Sequence, residues 1–197
     1  MEKLYSPAAI NRIKEKHNFH FSKGLGQNFL TDGNIVDNIV EGAQVGAGDL
    51  VIEIGPGMGV LTAAAAERAA AVYAVEIDRH LIPILKETLR DYPNVTVIHG
   101  DIMKTQLGEL IESAMAGNSA KFSSVKVIGN LPYYITTPII MKILEEKGRG
   151  ETFDSLTFMM QKEVAERIRA NPGSRTYGAI SVAVQYYCKA DLVAVVP

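Results

Sequence analysis

The sequence predicts an α/β fold, one mostly parallel sheet with helices on both faces. Three observations carry this. Short continuous apolar runs recur along the chain and alternate with helix-length amphipathic stretches, the pattern of strands buried on both sides. A glycine-rich turn, Gly55-Pro56-Gly57-Met58-Gly59, joins the first such run to an alanine-rich helix. Finally, the runs end on residues with chemistry to offer: Gly55 after the first, Glu76, Asp101 and Asn130 after the next three. Right-handed crossovers place the ends of parallel strands on one rim, where ligands of such sheets bind.

The elements follow in order. Asn34–Gly42 reads as a helix started by Asp32 or Gly33. Leu50–Ile54 is a strand and Val60–Arg68 a helix; Ala71–Glu76 is a strand and His80–Arg90 a helix with Pro83 near its first turn. Val95–His99, Ser124–Ile128 and Ser155–Met159 are strands, with helices expected at Leu107–Ala116, Thr137–Glu146 and Gln161–Ala170. Asn171-Pro172-Gly173-Ser174 breaks the last of these. Tyr177–Cys188 reads as helix more than strand, and Leu192–Val196 as a short final strand.

Bulk properties fit one large domain. The 197 residues are 47% apolar and 21% charged, ordinary for a globular chain. A single cysteine, Cys188, excludes an internal disulfide and fits a reducing compartment. No run approaches the roughly 20 apolar residues of a membrane helix, and the N-terminus lacks a signal peptide's apolar core. A cytoplasmic location without membrane contact is expected. Net charge is −2, yet residues 1–28 carry five bases against two acids, leaving −5 for the rest. This divides the chain into a basic arm over 1–33 and a domain over 34–197. The arm could contact phosphates, or be a solvated terminus. His17, His20, His80 and His99 show no metal-ligand spacing, so no metal site is expected.

The motifs narrow the chemistry. A dinucleotide fingerprint would place its third glycine at position 60, which is valine; the glycines here are 55, 57 and 59. Glu53 precedes the turn, and Glu76 follows Gly57 by nineteen residues. An acid at that strand tip suits the two ribose hydroxyls of an adenosine; the plainer reading is a solvated carboxylate or a pair with Arg79. Asp101 suits an adenine amino group, with Ile77 and Ile102 flanking the ring, or it caps the following segment.

Asn130-Leu131-Pro132-Tyr133 is the chemical centre. Adenine's exocyclic nitrogen is a poor nucleophile because its lone pair is delocalised into the ring. The Asn130 side chain and the Leu131 or Pro132 carbonyl can accept its two N–H bonds and turn the lone pair outward. Tyr133 can stack on an extruded base. Orientation and electrostatics would supply the catalysis, with no strong base. With the glycine turn, this points to methyl transfer from S-adenosylmethionine to a nucleobase.

Gly24–Leu30, Glu53–Gly59, Gly100-Asp101, Asn130–Pro138 and Gln161–Ala165 together resemble the small-subunit ribosomal RNA adenine dimethyltransferases, the KsgA family. The resemblance covers nearly the whole chain, with its motifs in family order. It implies a Rossmann-like class I methyltransferase fold in which Asn28 and Leu30 help close the cofactor pocket. Gly55, Gly57, Glu76, Ile77, Asp101, Ile102 and Asn130 would bind S-adenosylmethionine, and Asn130, Pro132 and Tyr133 would act at the target base. The implied reaction dimethylates N6 of two adjacent adenosines in a hairpin near the 3′ end of small-subunit RNA, within the immature subunit. Alternatives are a non-catalytic assembly factor, a large-subunit enzyme of the erythromycin-resistance type, and a DNA adenine methyltransferase. Family members continue beyond Pro197 with a second aromatic wall, a last strand and a basic helical domain. The chain is therefore expected to be a monomer lacking these parts, with Leu192–Val196 short of a sheet partner and strand five an open edge prone to self-association.

Overall fold

The structure, a computed structural model, describes residues 4–19, 30–117, 121–150 and 152–196. Five strands form one sheet: β1 (Asp49–Ile54), β2 (Ala71–Glu76), β3 (Val95–His99), β4 (Ser124–Asn130) and β5 (Ser155–Met159). Their order is β3-β2-β1-β4-β5, and every pairing is parallel. The chain thus starts in the middle, winds outward to β3, and returns past β1 to β4. The change of direction falls between β1 and β4, where a crevice forms at the strands' C-terminal ends.

Eight helices occur among the described residues: α1 (Pro7–Lys16), α2 (Gly33–Gly42), α3 (Val60–Ala66), α4 (Ile82–Thr88), α5 (Leu107–Ala116), α6 (Thr136–Gly148), α7 (Lys162–Ile168) and α8 (Ala179–Tyr187). Side-chain alternation along the strands divides the core. Leu50, Ile52 and Ile54 of β1 join Val125 and Val127 of β4 against α5, α6 and α8. Val51, Val72 and Ile128 face the other way, onto α2 and α3. A third cluster packs α1 against α4 through Ile10, Ile13, Ile84, Leu85 and Leu89.

One buried ion pair fixes the N-terminal end of the central strands. Asp49 accepts hydrogen bonds from Ser124 Oγ at 2.6 Å, Ser123 Oγ at 3.2 Å and the Gly46 amide at 2.8 Å, and pairs with Lys126 Nζ at 3.0 Å. Lys126 also donates to the Gln44 carbonyl. Burial raises the Asp49 carboxyl, but Ser124, Lys126 and Gly46 outweigh it and hold the carboxyl below its ordinary range. The pin sets the β1–β4 register at the end of the sheet opposite the crevice.

Two expectations change. Leu192–Val196 is not a strand: the segment lacks regular structure, and Leu192, Val193 and Val195 are at least half exposed. Val193 instead lies against Gly42 of α2, so closely that a Cβ there would come within 2.3 Å of it. A short apolar run forms a strand only where a sheet edge receives it, and this segment lies on a helix. Residues 7–16 of the basic arm are also not a solvated terminus. Ser6 accepts from the Ala9 amide at 3.1 Å and Pro7 occupies the first turn, so α1 is capped and buries Ala9, Ile10 and Ile13.

Candidate active site

The glycine turn leaves β1 in a conformation that side chains resist. Gly55, Gly57 and Gly59 have φ of 69°, 60° and 86°, all left-handed. Gly55 donates to the Val75 carbonyl at 3.0 Å, tying the turn to β2, and Gly59 donates to Pro56 at 2.9 Å before starting α3. At Gly59 a Cβ would press within 3.0 Å of Leu89. At Gly55 it would meet nothing within 4 Å, so the crevice side of the turn is clear.

Glu76, at the tip of β2, is almost fully buried. Its carboxylate takes the Gly57 amide at 3.1 Å and the Asp78 amide at 2.8 Å. Burial pushes the carboxyl up, and the two amides oppose that. It pairs with backbone rather than Arg79, one oxygen to the glycine turn and one to its own loop. Each carboxylate oxygen has two lone-pair sites, so acceptor capacity remains. Beside it Ile77 stands 49% exposed, an apolar face at the crevice.

Asp101, one residue beyond Gly100, does cap its own loop: Oδ1 accepts the Met103 amide at 2.9 Å. Among the described residues its Oδ2 has the exposed Lys104 near it, at 4.0 Å. The capping role is compatible with a second acceptor role. Ile102 is buried in the core beside α5 and α6, so of the two isoleucines Ile77 is the one presented at the surface.

Asn130 closes β4 in register with Met159 of β5, and Leu131 continues the ladder by donating to the Met159 carbonyl at 3.2 Å. Leu131 is buried, which fixes the turn that follows. The Pro132 carbonyl already accepts two donors, the Ile135 amide at 3.1 Å and Thr136 Oγ1 at 2.9 Å. Of the two backbone acceptors considered for a target amine, Leu131 is therefore the better placed, and Pro132 serves the turn. Tyr133 is 45% exposed at the rim, with Tyr134 beside it. Thr136, buried at the start of α6, was not singled out in the sequence; Pro132 followed by a hydroxyl four residues on was its signal.

Of the closing motif, Asn28 lies outside the described residues, while Leu30 is buried with Val36, Val60 and Leu61 of α2 and α3. Glu53, which opens the glycine-turn motif, had no role of its own in the sequence reading. It is 1% exposed on the α3 side of β1, and its Oε2 has no hydrogen-bond partner. Burial foremost pushes its carboxyl up to about 8; Thr62 opposes, and the Glu76 charge adds. No cluster of His, Cys, Asp or Glu with metal-binding geometry occurs among the described residues. No described helix is long and apolar enough to cross a membrane.

A parallel sheet with this order, a glycine turn after β1, acids at the tips of β2 and β3, and Asn-Leu-Pro-Tyr after β4 define a Rossmann-like methyltransferase fold. Two solved structures share it at 31% sequence identity. A dimethyladenosine transferase from Plasmodium falciparum aligns with a TM-score of 0.64 over 80% of this chain and 52% of its own. The 23S rRNA methyltransferase ErmE aligns at 0.58 over 71% and 50%. The chain belongs to the ribosomal RNA adenine dimethylase family, whose pattern matches residues 17–197. It is 56% identical to ribosomal RNA small subunit methyltransferase A of Alkaliphilus oremlandii and 49% identical to that of Clostridioides difficile, in each case over all 197 residues. It spans 66% and 65% of those relatives' lengths.

Proposed function

We propose that this chain is the catalytic domain of a small-subunit rRNA adenine N6-dimethyltransferase that uses S-adenosylmethionine and acts in the cytoplasm on the immature small subunit. The observation that carries it is the convergence of Gly55, Glu76, Asp101 and Asn130 on one rim of the sheet, at the switch between β1 and β4. The relatives at 49–56% identity bear the small-subunit name, which favours that substrate over the large-subunit one of ErmE.

The residues present fit the cofactor. The clear side of Gly55 would admit a ligand against the backbone, Glu76 would take ribose hydroxyls on its carboxylate, and Ile77 would offer an apolar face to a purine. Asp101 keeps Oδ2 for the amino group of that purine. When bound, S-adenosylmethionine supplies an electrophilic methyl on its sulfonium.

The chain's part is to present the nucleophile. The Asn130 side chain and the Leu131 carbonyl accept the two N–H bonds of the adenine amine, which favours a pyramidal nitrogen with its lone pair turned toward the cofactor. The proton leaves easily once the nitrogen becomes cationic, so no strong base is needed. Tyr133 stacks on the base, and the Pro132–Thr136 hydrogen bond keeps the turn rigid while it does so. Closure over the cofactor is the part the family resemblance assigns to Asn28 and Leu30.

The test is methylation of unmodified small subunits, naked ribosomal RNA and DNA with labelled cofactor, by wild type and Asn130→Ala. Dimethyladenosine in small-subunit RNA, lost in Asn130→Ala at saturating cofactor and RNA, is the expected result. Label in DNA or large-subunit RNA instead, or an Asn130→Ala variant with full turnover, would overturn the proposal.

A further inference from the structure

Glu53 has no part in the mechanism above, yet it occupies a costly position. It stands two residues before Gly55, near the end of β1, paired in register with Ala74 of β2 and Ile128 of β4. Glu76 follows Ala74 by two residues on the same face of β2. Strand spacing and rise put the Glu53 and Glu76 Cα atoms roughly 8 Å apart. The elements packed around Glu53 contribute Thr62 from α3, Ala74 and Glu76 from β2, and Ile128 from β4; Glu76 is the one charged group acting on it. A fully buried carboxyl beside a second carboxylate, with one oxygen unpartnered, is stable without its charge or with a cation brought to it. Core packing alone would be served better by leucine or glutamine.

We propose that Glu53 is a charge sensor under the cofactor turn: it is protonated in the free protein and releases that proton when S-adenosylmethionine binds, which makes the site prefer the cationic cofactor over its uncharged product. This rests on the cofactor reading above. S-adenosylmethionine carries a sulfonium and an ammonium against one carboxylate, a net single positive charge. S-adenosylhomocysteine has lost the methyl cation and is neutral overall. Only the first brings net positive charge to the Glu53–Glu76 pair, so only the first draws Glu53 into its ionised form. The product then leaves a site whose carboxyl takes its proton back from solvent. The proton balance is one released on cofactor binding and one regained after transfer. By linkage, the affinity ratio of cofactor to product rises with pH by as much as tenfold per unit, in proportion to the protons released, until Glu53 is ionised in the free protein as well.

Calorimetric titration in buffers of different ionisation enthalpy counts the protons. At pH 7, wild type should release between one half and one proton per S-adenosylmethionine and close to none per S-adenosylhomocysteine. Glu53→Gln, which keeps the shape, should bring the first count near that of the product and flatten the pH dependence of the affinity ratio between pH 6 and 7.5. Thr62 Oγ1 makes no hydrogen bond in this structure but is the hydroxyl that lowers the Glu53 carboxyl, so Thr62→Val should shift the rise in that ratio toward higher pH without abolishing it. If Glu53→Gln fails to fold, the wild-type counts and the Thr62→Val shift still decide. Equal proton counts for the two ligands, or a count unchanged in folded Glu53→Gln, overturns this inference and leaves the cofactor assignment standing. Failure of wild type to bind S-adenosylmethionine at all overturns that assignment, and the sensor with it.

Discussion

Replacing Glu76 should separate binding from stability. The wild-type carboxylate makes two bonds within the protein, to the Gly57 and Asp78 amides, and is proposed to accept two more from ribose hydroxyls. Hydrogen bonds to a charged group are worth about 1.5–3 kcal/mol, and about 1.4 kcal/mol is tenfold in affinity. Glu76→Gln keeps one oxygen for the Asp78 amide but presents an amide N–H toward Gly57, and it loses the charge that strengthens the ribose bonds. Cofactor affinity should fall at least tenfold. Stability should move far less, because the variant also removes a buried charge. The Glu76 carboxyl is raised by burial, so its ionisation at neutral pH opposes folding, and that cost disappears with the charge. The two effects offset, and Tm should shift by no more than about 4 °C. Glu76→Ala leaves both buried amides without an acceptor, about 1–3 kcal/mol each, and should lower both affinity and Tm. Calorimetric titration and thermal melts of the three proteins are the assay. Unchanged affinity in a folded Glu76→Gln would refute the ribose assignment; a Tm drop matching that of Glu76→Ala would refute the account of the buried charge.

Four further outcomes follow from the geometry. Tyr133→Phe should methylate nearly as wild type and Tyr133→Ala should raise the KM for RNA roughly tenfold or more, since stacking on a base is worth about 1–3 kcal/mol; equal KM values in steady-state assays would remove the stacking role. Asp49→Ala removes the acceptor shared by Ser124, Gly46 and the half-buried Lys126, which keeps the Gln44 carbonyl, and should cost about 1–3 kcal/mol in chemical denaturation. Because the Asp49 carboxyl is lowered in the fold, its stabilisation is present above the unfolded value near 4 and is lost as pH falls through the lower folded value, a loss that the Asp49→Ala variant should not show. For Glu53 the sign is opposite: its contribution is full below about 4.5 and is lost as pH rises to about 8, so Glu53→Gln should gain stability over wild type across that window in melts run at stepped pH. Ile10→Ala should cost about 2–5 kcal/mol if α1 is part of the core, and nothing measurable if the segment is a solvated arm.

The sequence alone determined the sheet and its rim. Strands β2, β3 and β5 have the bounds expected, because runs such as Val95–His99 are rich in β-branched residues and closed by turn residues, a local signal that needs no partner to be read. The glycine turn was legible for the same reason: three glycines in five positions announce left-handed backbone wherever they occur. So was the meeting of Gly55, Glu76, Asp101 and Asn130, since parallel strands joined by helices have only one rim for their ends. The tertiary structure decided what depends on contacts distant in sequence. Apolar Leu192–Val196 resembles a strand in isolation, but it lies on α2 and joins neither edge of the sheet. The charge of residues 1–28 drew attention away from Ile10 and Ile13, whose burial required α4 on the far side of the chain. That the Pro132 carbonyl is already taken, that Asp101 caps its own loop, and that Glu53 is sealed beside Glu76 all turn on where neighbouring atoms settle. Local patterns choose the elements because backbone geometry is local; hydrogen-bond capacity and charge are shared among whatever the fold brings together, and only the folded chain fixes how they are divided.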